Sequence, residues 1–559
     1  MSGRATLGRK DGQLVLGELI SGRLDDPRPC LVFEDNSWTW AEYARECVDR
    51  ANLLRNRRVD GPFHIGVLLD NVPDFVMLLG AAALSGAVVV GLNPTRRGPE
   101  LARDVAQTDC QLIITEQRYR ALLSDVGDTV RSDRILTIED PAWPAELASV
   151  AGGTVPEVDL GPDDLFMLIF TSGTSGNPKA VRCTHAKITT PGTAVVGHLQ
   201  LTRDDRAYLS MPLFHSACVM AGWSPTMVAG SSMALRRKFS ASSFLSDVRR
   251  YGCTWFNYIG KPLAYVLSTP EQPDDAANPL RVAMGNESTH ADVERFSARF
   301  GLHVFDGYGA TESGLNILRT PQTPPNAMGP LPEGVAVLHQ ETGEPAAIAR
   351  FDGDGRLLNG AEAIGEMVNT RGAGAFLGYY GDEEAEHERM RGGMYRSGDL
   401  AYVDAHGFAY FAGRTSDWLR VDGENLATAP IERLILRHHD VAQVAVYGVP
   451  NPDSGDDVMA SVVVREGATF DPDEFAGFLA LQPDLGTKWT PRYVRVTTEL
   501  PLTQTNKVLK RVLVEQRWRT DDPLWWRPGR ETAYRPMGPA DADAVEALLV
   551  QQGRAALLV

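Results

Sequence analysis

Residues 170–179 read Phe-Thr-Ser-Gly-Thr-Ser-Gly-Asn-Pro-Lys, a combination suited to holding polyphosphate. Gly173 and Gly176 let backbone N–H groups turn inward onto an anion, and Thr171, Ser172, Thr174 and Ser175 add hydroxyl donors. Lys179 adds a mobile positive charge. The pattern is not a Walker A loop, which needs glycine directly before its lysine and Ser or Thr directly after it; Pro178 and Ala180 stand in those places. Alone, such a stretch reads as an ordinary polar surface loop. It does not stand alone. Residues 306–312, Asp-Gly-Tyr-Gly-Ala-Thr-Glu, put the Tyr308 ring, the Thr311 hydroxyl and the Glu312 carboxylate on one loop loosened by Gly307 and Gly309. Residues 395–399, Tyr-Arg-Ser-Gly-Asp, set Asp399 ahead of a turn, where a carboxylate can accept two ribose hydroxyls. Gly413-Arg414, Asp417, the stretches 421–425 (Val-Asp-Gly-Glu-Asn), 211–215 (Met-Pro-Leu-Phe-His) and 503–507 (Thr-Gln-Thr-Asn-Lys) follow the same theme.

The chain has only eight lysines, Lys10, Lys179, Lys187, Lys238, Lys261, Lys488, Lys507 and Lys510, among 55 basic residues. Where arginine is the default cation, a compact ammonium at Lys179 or Lys507 marks a place where a point charge is needed.

These residues need elements to hold them. Strand-like apolar runs at 64–69, 87–90, 111–115, 165–170 and 302–305 alternate with helix-like segments, which predicts α/β layers with parallel sheets. From about 328 to 411 the texture changes to short apolar pieces rich in glycine, as expected of a small antiparallel barrel or sandwich. Beyond Gly413-Arg414, strand candidates at 443–447, 459–464 and 493–496 surround a helix at 472–481 with Asp471 as its N-cap, a separate α+β domain. The expected organisation is an N-terminal domain of two α/β subdomains plus a small β-barrel over 1–416, and a smaller, mobile C-terminal domain over 417–559. Residues 533–559 show little partner pattern and read as a peripheral helix.

At 559 residues and 43% hydrophobic content the chain exceeds the ~250–300 residues at which single cores stop growing, so at least two globular domains are expected. A formal net charge of −17 argues against general affinity for nucleic acid or anionic membrane and allows only a local basic pocket. The six scattered cysteines show no C-x-x-C spacing, which points away from zinc and disulfides and towards a reducing compartment. The polar N-terminus carries no signal-peptide core, so a cytoplasmic location is expected. The uncharged run 75–92 has the length of a membrane span, but its glycines and Ser85 divide it into a helix entered through Pro73-Asp74, closed near Gly86, and a short strand.

In their order and separations the six motifs resemble the adenylate-forming superfamily, which includes acyl-CoA synthetases, firefly luciferase and peptide-synthetase adenylation domains. The resemblance extends from Trp38-Thr-Trp-Ala-Glu-Tyr43 to Lys510. A narrower similarity, to the fatty-acid-transport-protein, very-long-chain and bile-acid-CoA branch, rests on Thr254-Trp-Phe-Asn-Tyr-Ile-Gly260, on Lys179-Ala180, on Thr505-Asn-Lys507 and on Asp522-Pro-Leu-Trp-Trp526. Gly285-Asn-Glu287 departs from that branch, which usually has Gly-Asn-Gly there.

The resemblance implies two half-reactions: a carboxylate attacks the α-phosphate of ATP to give acyl-AMP and pyrophosphate, then the thiol of CoA attacks the mixed anhydride. Two anions must meet, so cations and donors aimed at the transition state are needed. By resemblance, 171–176 and Lys179 hold the β- and γ-phosphates, and Glu312 and Thr171 hold Mg²⁺. Tyr308 stacks on adenine within the Asp306–Gly309 stretch, Thr311 contacts the α-phosphate, and Asp399 holds the ribose with Arg414 nearby. Lys507 bridges the incoming carboxylate and the α-phosphate, a contact worth roughly 4 kcal/mol before desolvation at ~4 Å and an effective dielectric near 20. Asp417 corresponds to the hinge of a rotating small domain, and Gly423 to the lining of the pantetheine tunnel. His215, Phe256 and Tyr258 fall at the wall of the acyl pocket. Taken singly, His215 reads equally as a satisfied histidine, Trp255, Phe256 and Tyr258 as core aromatics, and Lys488 as a solvated cation.

The leading expectation is an AMP-forming carboxylic acid–CoA ligase for a bulky apolar small-molecule acid, a long-chain fatty acid or a steroid side-chain acid, with no nucleic-acid partner, no membrane span and room for peripheral membrane contact. Alternatives are an acyl-AMP ligase serving a separate carrier protein, a non-catalytic acyl-binding or transport-coupled protein, and an oxygen-dependent luciferase-type enzyme. Intact Lys179, Glu312, Asp399 and Lys507 count against the non-catalytic one.

Overall fold

The computed structural model describes residues 9–558 except 11–12, 128, 172–177, 261, 287, 289, 340–341, 354, 356, 415–417, 422–423, 453–454, 483–484, 486–488, 504–507, 530 and 553. The chain divides into two compact units, one of 1–316 with 373–388 and one of 317–372 with 389–559.

The first unit is α/β, as the alternation of apolar runs predicts. One six-stranded sheet orders its strands as Lys179–Thr184, Leu165–Thr171, Val88–Gly91, His64–Leu68, Cys110–Thr115 and Ile135–Thr137. Only the first pair is antiparallel; the other neighbours are parallel. His64–Leu68 and Val88–Gly91 are buried throughout, which is why they read as continuous apolar runs rather than alternating ones. A second sheet places His303–Gly309, Val282–Asn286, Trp255–Ile259, Arg206–Leu209, Ser232–Leu235 and Pro29–Phe33 in parallel order, with Asn36–Thr39 turned back as a hairpin.

Helix Pro73–Ser85 begins with proline in its first turn and ends where Gly86 adopts φ 75°. Every residue from Phe75 to Ser85 is buried, so the uncharged run belongs to the interior. Among the described residues no helix is long and apolar enough to cross a membrane. All six cysteines are buried free thiols.

In the second unit the glycine-rich region forms a five-stranded antiparallel sheet in the order Gly329–Pro330, Phe408–Arg414, Tyr395–Val403, Gly365–Asn369 and Val335–Leu338. The α+β part follows the expected pattern: helix Pro472–Ala480 is capped by the Asp471 side chain, which accepts from the N–H groups of Asp473 and Glu474. The tail departs from expectation. Leu524–Trp526 and Arg535–Pro536 extend the sheet of Val441–Pro450, Asp456–Val464 and Tyr493–Val496. Helix Pro539–Gln551 buries Ala542, Val545 and Leu549 in a core shared with Tyr447, Tyr493, Trp518 and Trp526. The helix is mostly apolar with its charges only at Asp541, Asp543 and Glu546, so no single face stood out in the sequence, and the buried stripe had no visible partner until the sheet brought these aromatics together.

Candidate active site

Strands Leu165–Thr171 and Lys179–Thr184 pair with Thr171 opposite Lys179, so both ends of the glycine- and hydroxyl-rich stretch are fixed by the sheet. Ser172, Gly173, Thr174, Ser175 and Gly176 lie outside the described residues. Lys179 is only 3% exposed and begins its strand, with its Nζ 3.6 Å from Glu388 Oε2 and 5.5 Å from the centroid of the Tyr379 ring.

Glu312 is buried, and its Oε1 accepts from the Thr171 hydroxyl at 3.2 Å and from the Tyr379 hydroxyl at 3.1 Å. Its backbone carbonyl accepts from Nζ of Lys187 at 3.0 Å. Burial lowers the pKa of Lys187, while Cys183 and Glu312 act in the opposite direction. The next residue, Ser313, takes a left-handed φ of 55°, uncommon without glycine, and its N–H closes the turn onto the carbonyl of Ala310 at 2.9 Å. A buried carboxylate is tolerable only with donors in place, and here the strand end at Thr171 and the 378–381 segment, through Tyr379, supply them. The donor set, one carboxylate with a threonine hydroxyl on its oxygen, is hard-oxygen chemistry. It fits Mg²⁺, which takes one or two carboxylates and completes its shell from water and substrate phosphates.

Thr311 Oγ1 and Ser216 Oγ are 2.7 Å apart. Ser216 opens the short helix Ser216–Cys218, which His215 caps by accepting the Ala217 N–H at its Nδ1. The 211–215 motif thus meets the 306–312 motif through a residue just outside it. Asn71 holds this segment from the other side, donating to the Met211 carbonyl at 2.8 Å and accepting the Leu213 N–H at 2.9 Å.

Asp306, Gly307, Tyr308 and Gly309 are not in a loop: they complete strand His303–Gly309, with Asp306 opposite Gly285 and Gly307 opposite Asn286. The parallel neighbour pairs with the strand as far as Gly307, and the extended backbone runs on to Gly309. Tyr308 is half-buried. Tyr258 donates its hydroxyl to Asp306 Oδ2 at 2.7 Å, and the Ser288 N–H reaches the same oxygen at 3.3 Å. A Cβ on Gly285 would lie 2.5 Å from the Tyr258 carbonyl and 2.6 Å from its ring, so glycine is required there. Phe256 packs in the core against Phe244 and Phe296, with ring centroids at 5.1 and 5.9 Å.

In the second unit Asp399 is likewise within a strand, Tyr395–Val403, rather than ahead of a turn, and it pairs with Arg414 across the ladder. Arg414 Nε lies 3.5 Å from Asp399 Oδ1. Gly398 needs its φ of 71°, and its N–H donates to Glu366 Oε1 at 3.0 Å. Lys510 Nζ sits 2.9 Å from Glu432 and 2.8 Å from the Thr428 hydroxyl. Asp417, Gly423, Lys488 and Lys507 lie outside the described residues.

Four residues escaped the motif reading: Tyr379, Lys187, Ser216 and Asn71. Lys187 had a signal, the scarcity of lysine, and Tyr379 a weaker one, an aromatic pair between Gly378 and Gly381.

Comparison with known proteins follows the same lines. The family model described as AMP-binding enzyme matches residues 23–380, and that of the AMP-binding enzyme C-terminal domain matches 430–507. The chain is 51% identical over 496 residues to the medium/long-chain-fatty-acid–CoA ligase FadD17 of Mycobacterium tuberculosis, covering 89% of this chain and 95% of that protein. It is 46% identical over 547 residues to the steroid-22-oyl-CoA synthetase of Rhodococcus jostii, covering 97% and 98%. The fold is similar to that of ATP-bound MatB from Rhodopseudomonas palustris, with a TM-score of 0.78, 24% identity, and coverage of 90% and 99%.

Proposed function

The chain belongs to the AMP-binding enzyme family, and on that footing we propose that it is an ATP-dependent, AMP-forming carboxylic acid–CoA ligase. Its substrate is a bulky apolar acid, a long-chain fatty acid or a steroid side-chain acid, activated as acyl-AMP and passed to CoA. The observation that carries this reading is the convergence of Thr171, Lys179 and Glu312, which sets a buried cation and a hydroxyl-held carboxylate at the two ends of a polyphosphate-binding stretch. The two relatives named above support the acid class from both sides, one by fatty-acid and one by steroid-acid chemistry.

Lys179 and the 171–176 stretch hold the β- and γ-phosphates. Glu312 with Thr171 would hold Mg²⁺, whose charge offsets that of the leaving pyrophosphate. Thr311, kept in place by Ser216, donates to the α-phosphate. Tyr308 stacks on adenine and Asp399 takes the ribose hydroxyls. Lys507 joins the acid carboxylate to the α-phosphate during adenylation and withdraws for thiol attack, with Asp417 as pivot at the 416/417 boundary and Gly423 lining the CoA path. The protein acts in the cytoplasm on a small-molecule acid.

The test is a panel of mass-detected acids with ATP, Mg²⁺ and CoA. Pyrophosphate should appear only with a suitable apolar acid, and thioester only when CoA is added. Pyrophosphate release that never yields acyl-CoA would move the acceptor to a carrier protein; no release with any acid would remove the ligase reading.

A further inference from the structure

We propose that Tyr379 is a positioning residue that fixes the geometry between the two charged groups of the phosphate site, the Lys179 ammonium and the Glu312 carboxylate. Its hydroxyl thereby sets the affinity of the site for a divalent cation carried by the nucleotide. The inference rests on the ligase reading above and adds a residue that lies in none of the motifs.

Tyr379 is 1% exposed and touches both charges. Its hydroxyl donates to Glu312 Oε1 at 3.1 Å, and its ring lies 5.5 Å from Lys179 Nζ. Its backbone is stitched to the strand that Lys179 begins. Tyr379 bridges Val181, the Tyr380 N–H donates to the Ala180 carbonyl at 2.8 Å, and the Arg182 N–H to the Gly378 carbonyl at 3.2 Å. The ring is braced edge-on by Phe376, with centroids 5.0 Å apart.

Packing alone does not account for this choice of residue, because phenylalanine would fill the same space. The terminal torsion of a glutamate is broad and two-fold, so a carboxylate with a single donor can still rock. With Thr171 and Tyr379 both donating to Oε1, the carboxylate plane is set from two elements. Hydrogen bonds to an ionised group are the strong kind, and removing a partner that orients a metal-binding side chain typically weakens metal affinity by about 10–100-fold. The ring acts on the other charge: the lysine stem is flexible, and an aromatic face restrains the ammonium without neutralising it.

Two substitutions in the full-length protein separate the two contacts. Y379F removes one oxygen and keeps the ring; Y379L removes the ring as well. Binding of Mn²⁺ in the presence of ATP is followed by electron paramagnetic resonance, and ATP binding in EDTA by calorimetry. Y379F should weaken Mn²⁺ binding about tenfold while leaving metal-free ATP binding within about twofold of wild type. Y379L should show the same metal defect and, in addition, metal-free ATP binding weakened severalfold. Wild-type Mn²⁺ affinity in Y379F, or equal losses with and without metal in both variants, would overturn the proposal. Thermal unfolding accompanies each variant, and Y379F alone decides the claim should Y379L not fold. A wild-type protein that binds no Mn²⁺ with ATP would instead remove the ligase reading itself, so the two failures are distinct.

Discussion

The Thr171 hydroxyl donates a 3.2 Å hydrogen bond to Oε1 of Glu312, 141 positions further along the chain. The hydroxyl of Thr171 and the carboxylate that closes the 306–312 motif are therefore joined directly by one hydrogen bond. Thr171, proposed for phosphate, and Glu312, proposed for the metal, are thus held as a unit, and the first prediction follows from that.

Glu312→Gln keeps the shape and an oxygen that can still accept from Thr171 and Tyr379, but it removes the charge. The variant should fold normally and lose acid-dependent pyrophosphate release by on the order of a hundredfold or more. Activity and Mg²⁺ dependence equal to wild type would show that the carboxylate does not serve the metal.

Lys507→Ala separates the half-reactions. On the proposed mechanism the lysine acts when ATP and the acid meet, so acid-plus-ATP turnover should fall by a factor of order hundreds. The rate from pre-made acyl-AMP and CoA should largely survive. Equal losses in both steps, in a folded variant, would reassign Lys507 to CoA binding or to structure.

His185 begins helix His185–Leu199, is 1% exposed and lies 5.3 Å from the Phe166 ring. Burial pushes its pKa down to about 4, with Asp164 opposing. An unfolded imidazole titrates near ~6.5, so over the window from there to about 4 the unfolded chain binds a proton that the folded one refuses. The contribution, roughly 3 kcal/mol, is fully present above pH ~6.5 and is lost as pH falls through about 4. Asp104, raised to about 6 by burial against the opposing Arg96, works with the opposite sign in the same window. The measure is therefore a comparison: thermal unfolding of His185→Gln should lose pH dependence between 6.5 and 4 relative to wild type. Parallel curves would rule out a neutral buried His185.

Leu549 is fully buried under the C-terminal sheet. Leu549→Ala should destabilise the second unit by about 2–5 kcal/mol, the usual cost of emptying a buried leucine site. Denaturant unfolding followed by the fluorescence of Trp518 and Trp526 would measure it. An unchanged midpoint would mean that the tail is dispensable for that core.

The amino-acid sequence by itself determined the alternating α/β framework, the places of its most apolar strands, the Pro73 and Asp471 helix starts and the six motifs. These depend on local chemistry: apolar runs long enough to be buried, residues that cap or break helices, and hydroxyl, glycine and charge spacing that only certain ligands use. Only the tertiary structure decided which of these residues meet. It turned Asp306–Gly309 and Asp399 from loop and turn residues into strand residues, because a neighbouring strand satisfied backbone groups that glycine-rich sequence would otherwise leave to a loop. It also moved the tail from the periphery into a core, and it gave Glu312 its partners in Tyr379, Lys187 and Thr171, none of which is close to it in sequence. A buried carboxylate has to find its donors through the fold, and spacing along the chain carries no record of contacts that cross 67 residues to Tyr379 and 141 to Thr171.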